Sequence, residues 1–231
     1  MFSIIIPTYN EAHQIAETIS KTNAAIGKHK AEIIVVDGGS SDNTIGIAQQ
    51  CADTVVKSER KGRAAQMNKG ASVAKHDIVY FLHADSIPPK DFICKILNAY
   101  DEGTKSGCFR LAFDYDHWFL KANAWFTRFD VNAVRFGDQS LFVTKEVFER
   151  AGGFREDLVM MEDQEIIHRL KKHGKFKVLN DYVITSARKY LDNGVYRMQG
   201  IFYRIWAMYY IGYSQDQMLK VHRRLIRKHK L

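Results

Sequence analysis

Ile33-Ile34-Val35-Val36-Asp37-Gly38-Gly39-Ser40-Ser41-Asp42 is the stretch whose reading decides the fold. Four apolar residues in an unbroken run make a strand buried on both faces. The run stops in a cluster of turn formers, where Ser41 or Asp42 can cap a helix running to about Ala52. The same grammar stands on either side. Upstream, Ser3 to Pro7 is a continuous apolar strand ending in Thr8-Tyr9-Asn10-Glu11, and Ala12, Ile15, Ala16, Ile19 and Ile26 follow at helical spacing. Downstream, Thr54 to Lys57 reads as a short strand and Gly62 to Ala74 as a helix. Asp77 to Leu82 reads as a third buried strand ending at His83-Ala84-Asp85, and Pro88 and Pro89 open a helix to about Tyr100. Doubly buried strands separated by helices predict an α/β, Rossmann-like layer: a mostly parallel central sheet flanked by helices, with its ligand at the carboxyl ends of the strands.

The second half alternates less regularly. Gly107 to Phe113 and Gln139 to Thr144 read as strands around a helix from about His117 to Arg135. Met161 to His173 reads as a helix ended by Gly174, and Lys175 to Ala187 as extended chain. With no repeat or linker in view, residues 1–187 are expected to form one catalytic domain and residues 188–231 a helical C-terminal appendage.

Composition narrows the function. The three cysteines, Cys51, Cys94 and Cys108, are odd in number and lack C-x-x-C spacing, which argues against a disulfide framework or a structural zinc site. The start Met1-Phe2-Ser3 carries no basic leader, and no run reaches the roughly 18–20 apolar residues of a membrane span. A cytoplasmic protein is expected. The net charge of +8 lies in the tail: from Arg188 onward ten basic residues face only Asp192 and Asp216, while the body is balanced. A neutral body with a basic end points to contact with an acidic surface rather than to a nucleic-acid enzyme.

At the strand ends, no G-x-G-x-x-G follows the first strand and no P-loop is present, so NAD, FAD or phosphate binding by those devices is excluded. Carboxylates and hydroxyls remain, and carboxylates hold a polyanion only through a divalent cation. His83 and Asp85, two apart at a strand end, leave the same face and can share one metal. With the cleft around Asp37, they suggest a site for a metal-bound nucleoside diphosphate.

Four segments in order, Ser3 to Glu11, Val35 to Thr44, Gly62 to Ala71 and Met161 to Glu165, resemble the family 2 glycosyltransferases of GT-A fold. Leu82-His83-Ala84-Asp85 and Phe136-Gly137-Asp138-Gln139 are similar to the small bacterial branch of that family. The resemblance implies an inverting hexosyltransferase that moves a sugar from a UDP- or GDP-linked donor to a hydroxyl acceptor, lipid-linked acceptors included. Thr8, Tyr9 and Glu11 would line the nucleoside pocket, Asp37 would receive the base, and Arg63 would hold base or diphosphate. Asp85, matching the last carboxylate of D-x-D, would ligate Mg or Mn, and Asp163 would be the general base. His83 stands where the motif has Asp, so it is assigned to the nucleotide side with metal, ribose or neither as its contact. Gly38 stands where a second Asp is usual. Asp138, Gln139 and Glu162 are placed on the acceptor side.

Plainer readings stand beside these. Asp37 and Asp42 suit turns and caps, His83 suits a hydrogen-bonded strand end, and Glu162 and Asp163 complement a helix dipole. Arg63 suits a solvated helix face, and Asp138 and Gln139 a turn. The alternative function is a sugar-nucleotide-binding module of the same fold without turnover. The tail adds a helix over residues 195–213, apolar nearly all round, and a basic end containing Lys220, Arg223, Arg224, Arg227, Lys228 and Lys230. It suits packing on the domain, a homodimer, or peripheral contact with the inner face of the cell membrane.

Overall fold

The computed structural model describes residues 1–135 and 137–227. Phe136 of the 136–139 motif, and Lys228 and Lys230 of the basic end, lie outside the described residues. Strand β1 (Phe2–Thr8) is buried along its whole length. It pairs in parallel with β2 (Ala31–Asp37) after helix α1 (Ile15–Ile26). Helix α2 (Thr44–Cys51) leads to β3 (Thr54–Lys57), parallel to β2, and α3 (Arg63–Val73) leads to β4 (Ile78–Phe81), parallel to β1. A short β5 (Ser86–Ile87), α4 (Phe92–Asp101), β6 (Thr104–Phe113) and α5 (Trp118–Trp125) follow. Next come β7 (Leu141–Thr144), α6 (Lys145–Arg150), α7 (Glu162–Leu170) and β8 (Lys175–Thr185). The sheet order is β3-β2-β1-β4-β7-β6-β8-β5. β7 runs against both β4 and β6, and β5 against β8, which makes the sheet mixed but mostly parallel.

Successive residues of each inner strand serve opposite cores. Ile4, Ile6, Ile33, Val35 and Tyr80 face a layer containing Ile15, Ile19 and Phe92, while Ile5, Ile34, Val36, Val79 and Phe81 face a layer containing Met67, Phe148 and Ile166. This is why the strands read as unbroken apolar runs: period-two alternation sends every residue into one hydrophobic layer or the other, each fully buried side chain stabilising by about 1.5–3 kcal/mol.

The single helix expected over 117–135 is not formed. α5 stops at Trp125, and short 3-10 turns cover Phe126–Arg128 and Asn132–Val134. The break is held by Arg135, whose buried guanidinium donates to the carbonyl oxygens of Thr127 and Phe129 and to Asp130. A continued helix would have used those carbonyls itself. Neither Ser41 nor Asp42 is the cap of α2. Asn43 holds that position, and Asp42 instead accepts from the backbone of Thr44 and of Ala12.

After β8 the chain forms α8 (Arg188–Asn193), α9 (Val195–Ile211) and α10 (Gln215–Leu225). Met198, Ile201, Ile205 and Met208 of α9 pack with Leu120, Met160 and Met218 in a third core. α9 is therefore not apolar all round in use, for Tyr196, Tyr203 and Tyr210 remain exposed. No helix of the described residues is long and apolar enough to cross a membrane.

Gly70 sets how closely α3 approaches the sheet. A methyl group there would begin 2.3 Å from Ile5 Cγ2 and 3.1 Å from Val36 Cγ2. Gly70→Ala gains about 1 kcal/mol of helix propensity and loses about 1–3 kcal/mol to overpacking. Urea unfolding should show net destabilisation, relieved when Ile5→Ala opens the space.

Candidate active site

The turns after β1 and β2 are laced together. Asn10 donates its backbone N–H to Ser40 Oγ (2.9 Å) and accepts at Oδ1 from Ser41 N–H (2.8 Å), and Glu11 N–H donates to Thr44 Oγ1 (2.8 Å). Buried Asp37 turns its carboxylate onto its own loop, accepting from Gly39 N–H at 2.8 Å and Ser40 N–H at 3.0 Å. Thr8 is buried, and its hydroxyl donates to Val36 O at 3.4 Å. Gln66 spans the same two strand ends, its amide donating to Thr8 O (2.7 Å) and Val36 O (2.8 Å). A side chain at Gly38 would begin 2.9 Å from Gln66 Nε2. The glutamine thus takes the room that a second acidic residue would need. Tyr9 is exposed at the rim.

At the neighbouring strand end His83, Asp85 and Asp138 offer one imidazole and two carboxylates whose ligand atoms lie within 4.8 Å of one another. Such a donor set suits a divalent cation, and the imidazole favours manganese over magnesium. His83 Nδ1 and Asp138 Oδ1 are 2.8 Å apart. Desolvation would raise the Asp138 carboxyl, but the hydrogen bond and charge of His83, with Lys189 and Arg63 nearby, bring it down to about 2.

Asp138 lies in a 3-10 turn, Gly137–Gln139, whose first residue packs against Asp163 at the start of α7. A methyl group at Gly137 would sit 2.0 Å from Asp163 Oδ2 and 3.0 Å from His83 Cε1, so these two side chains flank one backbone atom. Only glycine leaves room for both.

Asp163 and Glu162 open α7, where the helix dipole favours acidic groups. Arg63, at the start of α3, grips both: Nε donates to Glu162 Oε1 at 2.6 Å and Nη2 to Asp163 Oδ2 at 2.9 Å. Desolvation lowers the guanidinium's pKa, but the two carboxylates outweigh it and hold it above its ordinary value. Glu162 is 1% exposed and one of its oxygens has no protein partner. Burial pushes its carboxyl up against the pull of Arg63.

Of the residues expected at the site, Thr8, Asp37, Glu11, Arg63, His83, Asp85, Asp138, Glu162 and Asp163 stand along the carboxyl ends of the strands. Gln139 does not. It is buried beneath, its amide donating to Phe109 O at 2.9 Å. The sequence reading missed Arg188, which donates to Glu11 Oε2 at 3.2 Å, and Lys189, whose charge reaches Asp138. Burial raises the Glu11 carboxyl, Arg188 opposes this and Asp85 adds to it, so Glu11 and Asp85 share one field. The pair Arg188-Lys189 directly after the last strand was the available signal, hidden by grouping it with the basic tail.

The sequence model described as glycosyl transferase family 2 matches residues 3–155, more than half of the chain, and the chain belongs to that family. Over 110 residues it is 33% identical to the undecaprenyl-phosphate 4-deoxy-4-formamido-L-arabinose transferase of Pseudomonas savastanoi pv. phaseolicola, covering 44% of this chain and 33% of that protein. Over 107 residues it is 31% identical to the dolichol-phosphate mannosyltransferase of Pyrococcus furiosus, covering 44% and 30%. The chain thus matches about a third of the length of these curated relatives. Among solved structures, the mannosyltransferase PcManGT from Pyrobaculum calidifontis, in complex with GDP-Man and Mn2+, superposes with a TM-score of 0.70 at 19% identity, covering 97% of this chain and 69% of that one. S. aureus TarS 1-349 in complex with UDP-GlcNAc gives 0.66 at 16% identity, covering 97% and 71%. These likenesses show the fold, which is GT-A.

Arg63→Ala would leave Glu162 buried beside Asp163 without a cation. Stability at neutral pH should fall by about 2 kcal/mol, less than a fully buried pair would cost because Arg63 is partly exposed. A Glu162 pKa raised above its unfolded value makes folding most favourable below the unfolded pKa and less so as pH rises. The deficit of the variant should therefore shrink as pH falls toward about 4. Urea unfolding across pH measures it.

Proposed function

We propose that this chain transfers a sugar, with inversion, from a UDP- or GDP-linked donor to a hydroxyl acceptor. The observation that carries the reading is the approach of Asp163 and His83 to the same atom of Gly137, His83 being one of the clustered donors His83, Asp85 and Asp138. The donor's nucleoside would lie over Thr8, Tyr9, Glu11 and Asp37, with its diphosphate toward Asp85. His83, Asp85 and Asp138 would hold Mn or Mg, which when bound neutralises charge on the leaving diphosphate. Asp163 accepts the acceptor's hydroxyl proton while that oxygen forms a bond to the anomeric carbon and the carbon–oxygen bond to the diphosphate breaks. Inversion needs no covalent enzyme intermediate. Arg63 holds Asp163 in place through Oδ2, and the acceptor's approach competes for the carboxylate oxygen. Asp138, beside His83, would border both the cation and the acceptor side.

The names of the relatives include lipid phosphates, which supports a lipid-linked acceptor and action at the inner face of a membrane. A homodimer is a further arrangement open to the exposed face of α9. The rival reading, a sugar-nucleotide-binding module without turnover, has one observation in its favour: Arg63 already neutralises the proposed base.

Calorimetry with UDP, GDP and CDP, each with and without manganese, should give binding of one diphosphate only when manganese is present. Asp163→Asn should keep that binding and lower turnover by about 10²–10⁴-fold. Binding indifferent to manganese removes the cation from the proposal, and nucleotide binding without transfer by the unaltered chain to any lipid-linked or soluble hydroxyl acceptor favours the module.

A further inference from the structure

We infer that the face formed by α5, the turns that follow it and α9 docks onto a bilayer containing anionic lipid. Tyr196, Tyr203 and Tyr210 are seven residues apart along α9, which places them on one stripe, and all three are exposed. Trp118 and Trp125, likewise seven apart on α5, are 67% and 46% exposed. The two helices meet edge to edge: the ring of Tyr196 lies 4.9 Å from Phe119 and 6.4 Å from Trp118. Between them Phe126, Phe202 and Trp206 line an apolar hollow of about 220 Å³. The chain's three tryptophans therefore all belong to this face.

The chemistry selects the occupant. Arg128 stacks on the Trp125 ring at 4.4 Å, and Arg197 and Arg204 are exposed between the tyrosines of α9. Amphipathic rings interleaved with guanidinium groups match the boundary between acyl chains and anionic headgroups, where the rings bury and the charges stay wet. A second copy of this chain is a poorer fit, because a two-fold contact buries the same patch against itself and so doubles its arginines within one interface. From the hollow, Phe202 meets Tyr190 edge to face with ring centroids 5.8 Å apart, and Tyr190 lies within the field of Asp138. A headgroup held at this surface would thus stand near the proposed acceptor side.

This deepens the membrane-surface part of the proposed function and is tested apart from transfer. Vesicles of phosphatidylcholine, with and without phosphatidylglycerol, are added to the full chain. Phosphatidylglycerol vesicles should shift the tryptophan emission to the blue, brominated acyl chains should quench it, and the protein should co-sediment. The double variant Trp118→Ser/Trp125→Ser should bind those vesicles about tenfold more weakly, and Arg128→Glu/Arg204→Glu should lose the preference for anionic lipid. Circular dichroism and UDP or GDP calorimetry on the same variants show that the fold and donor site are intact, and separate failure here from failure of the transferase reading. The inference is overturned by unchanged emission and no sedimentation with either vesicle. It is overturned equally by undiminished binding of the tryptophan variant, or by a dimer in ultracentrifugation that the same variant disperses.

Discussion

Arg63 is the tie on which the arrangement of this molecule depends. It begins α3, a helix pressed against the parallel strands through Gly70, and its guanidinium ends on the first two residues of α7, which belongs to the other half of the chain. Glu162 is buried, and a carboxylate there is tolerable only with a cation at hydrogen-bond distance. The fork geometry of arginine serves two acids at once, which a lysine's point charge would not. The same contact sets the orientation of Asp163, so packing and the proposed chemistry draw on one side chain.

The first hundred residues were legible because their strands are buried on both faces. Ile33 to Val36 and Ile4 to Pro7 have no polar residue to blur the pattern, and the clusters that end them mark the candidate site. The 117–135 segment misled for a physical reason. Its aromatic and apolar spacing is compatible with a helix, but Arg135 can reach back for the carbonyls of Thr127 and Phe129, and that tertiary contact outweighs local propensity. Gln139 misled differently: a polar residue beside Asp138 reads as a site residue until its amide is found under the sheet on Phe109 O.

The proposed donor side was legible as a place but not as a set of contacts. Asp37 is spoken for by its own loop, and Gln66, a helix residue with no special mark in the sequence, joins the two strand ends. Arg188 reaches Glu11 across more of the chain than any spacing rule covers. The pairing of His83 with Asp138 also depends on β7 lying beside β4, an antiparallel insertion that alternating strands and helices do not announce.

That insertion bears on how the protein is born. β1, β2 and β3 join through neighbouring crossovers, but β4 must return past β2 to pair with β1 and β7 must return to pair with β4. The span from Ile5 to Phe81 is longer than that from Phe81 to Leu141, so both central pairings close long loops whose entropy is spent before the pairing rewards it. The strand ends proposed to cradle a nucleotide and the residues proposed for chemistry therefore both wait on long-range pairing and come together late in folding. A partly folded chain would be a harmless one.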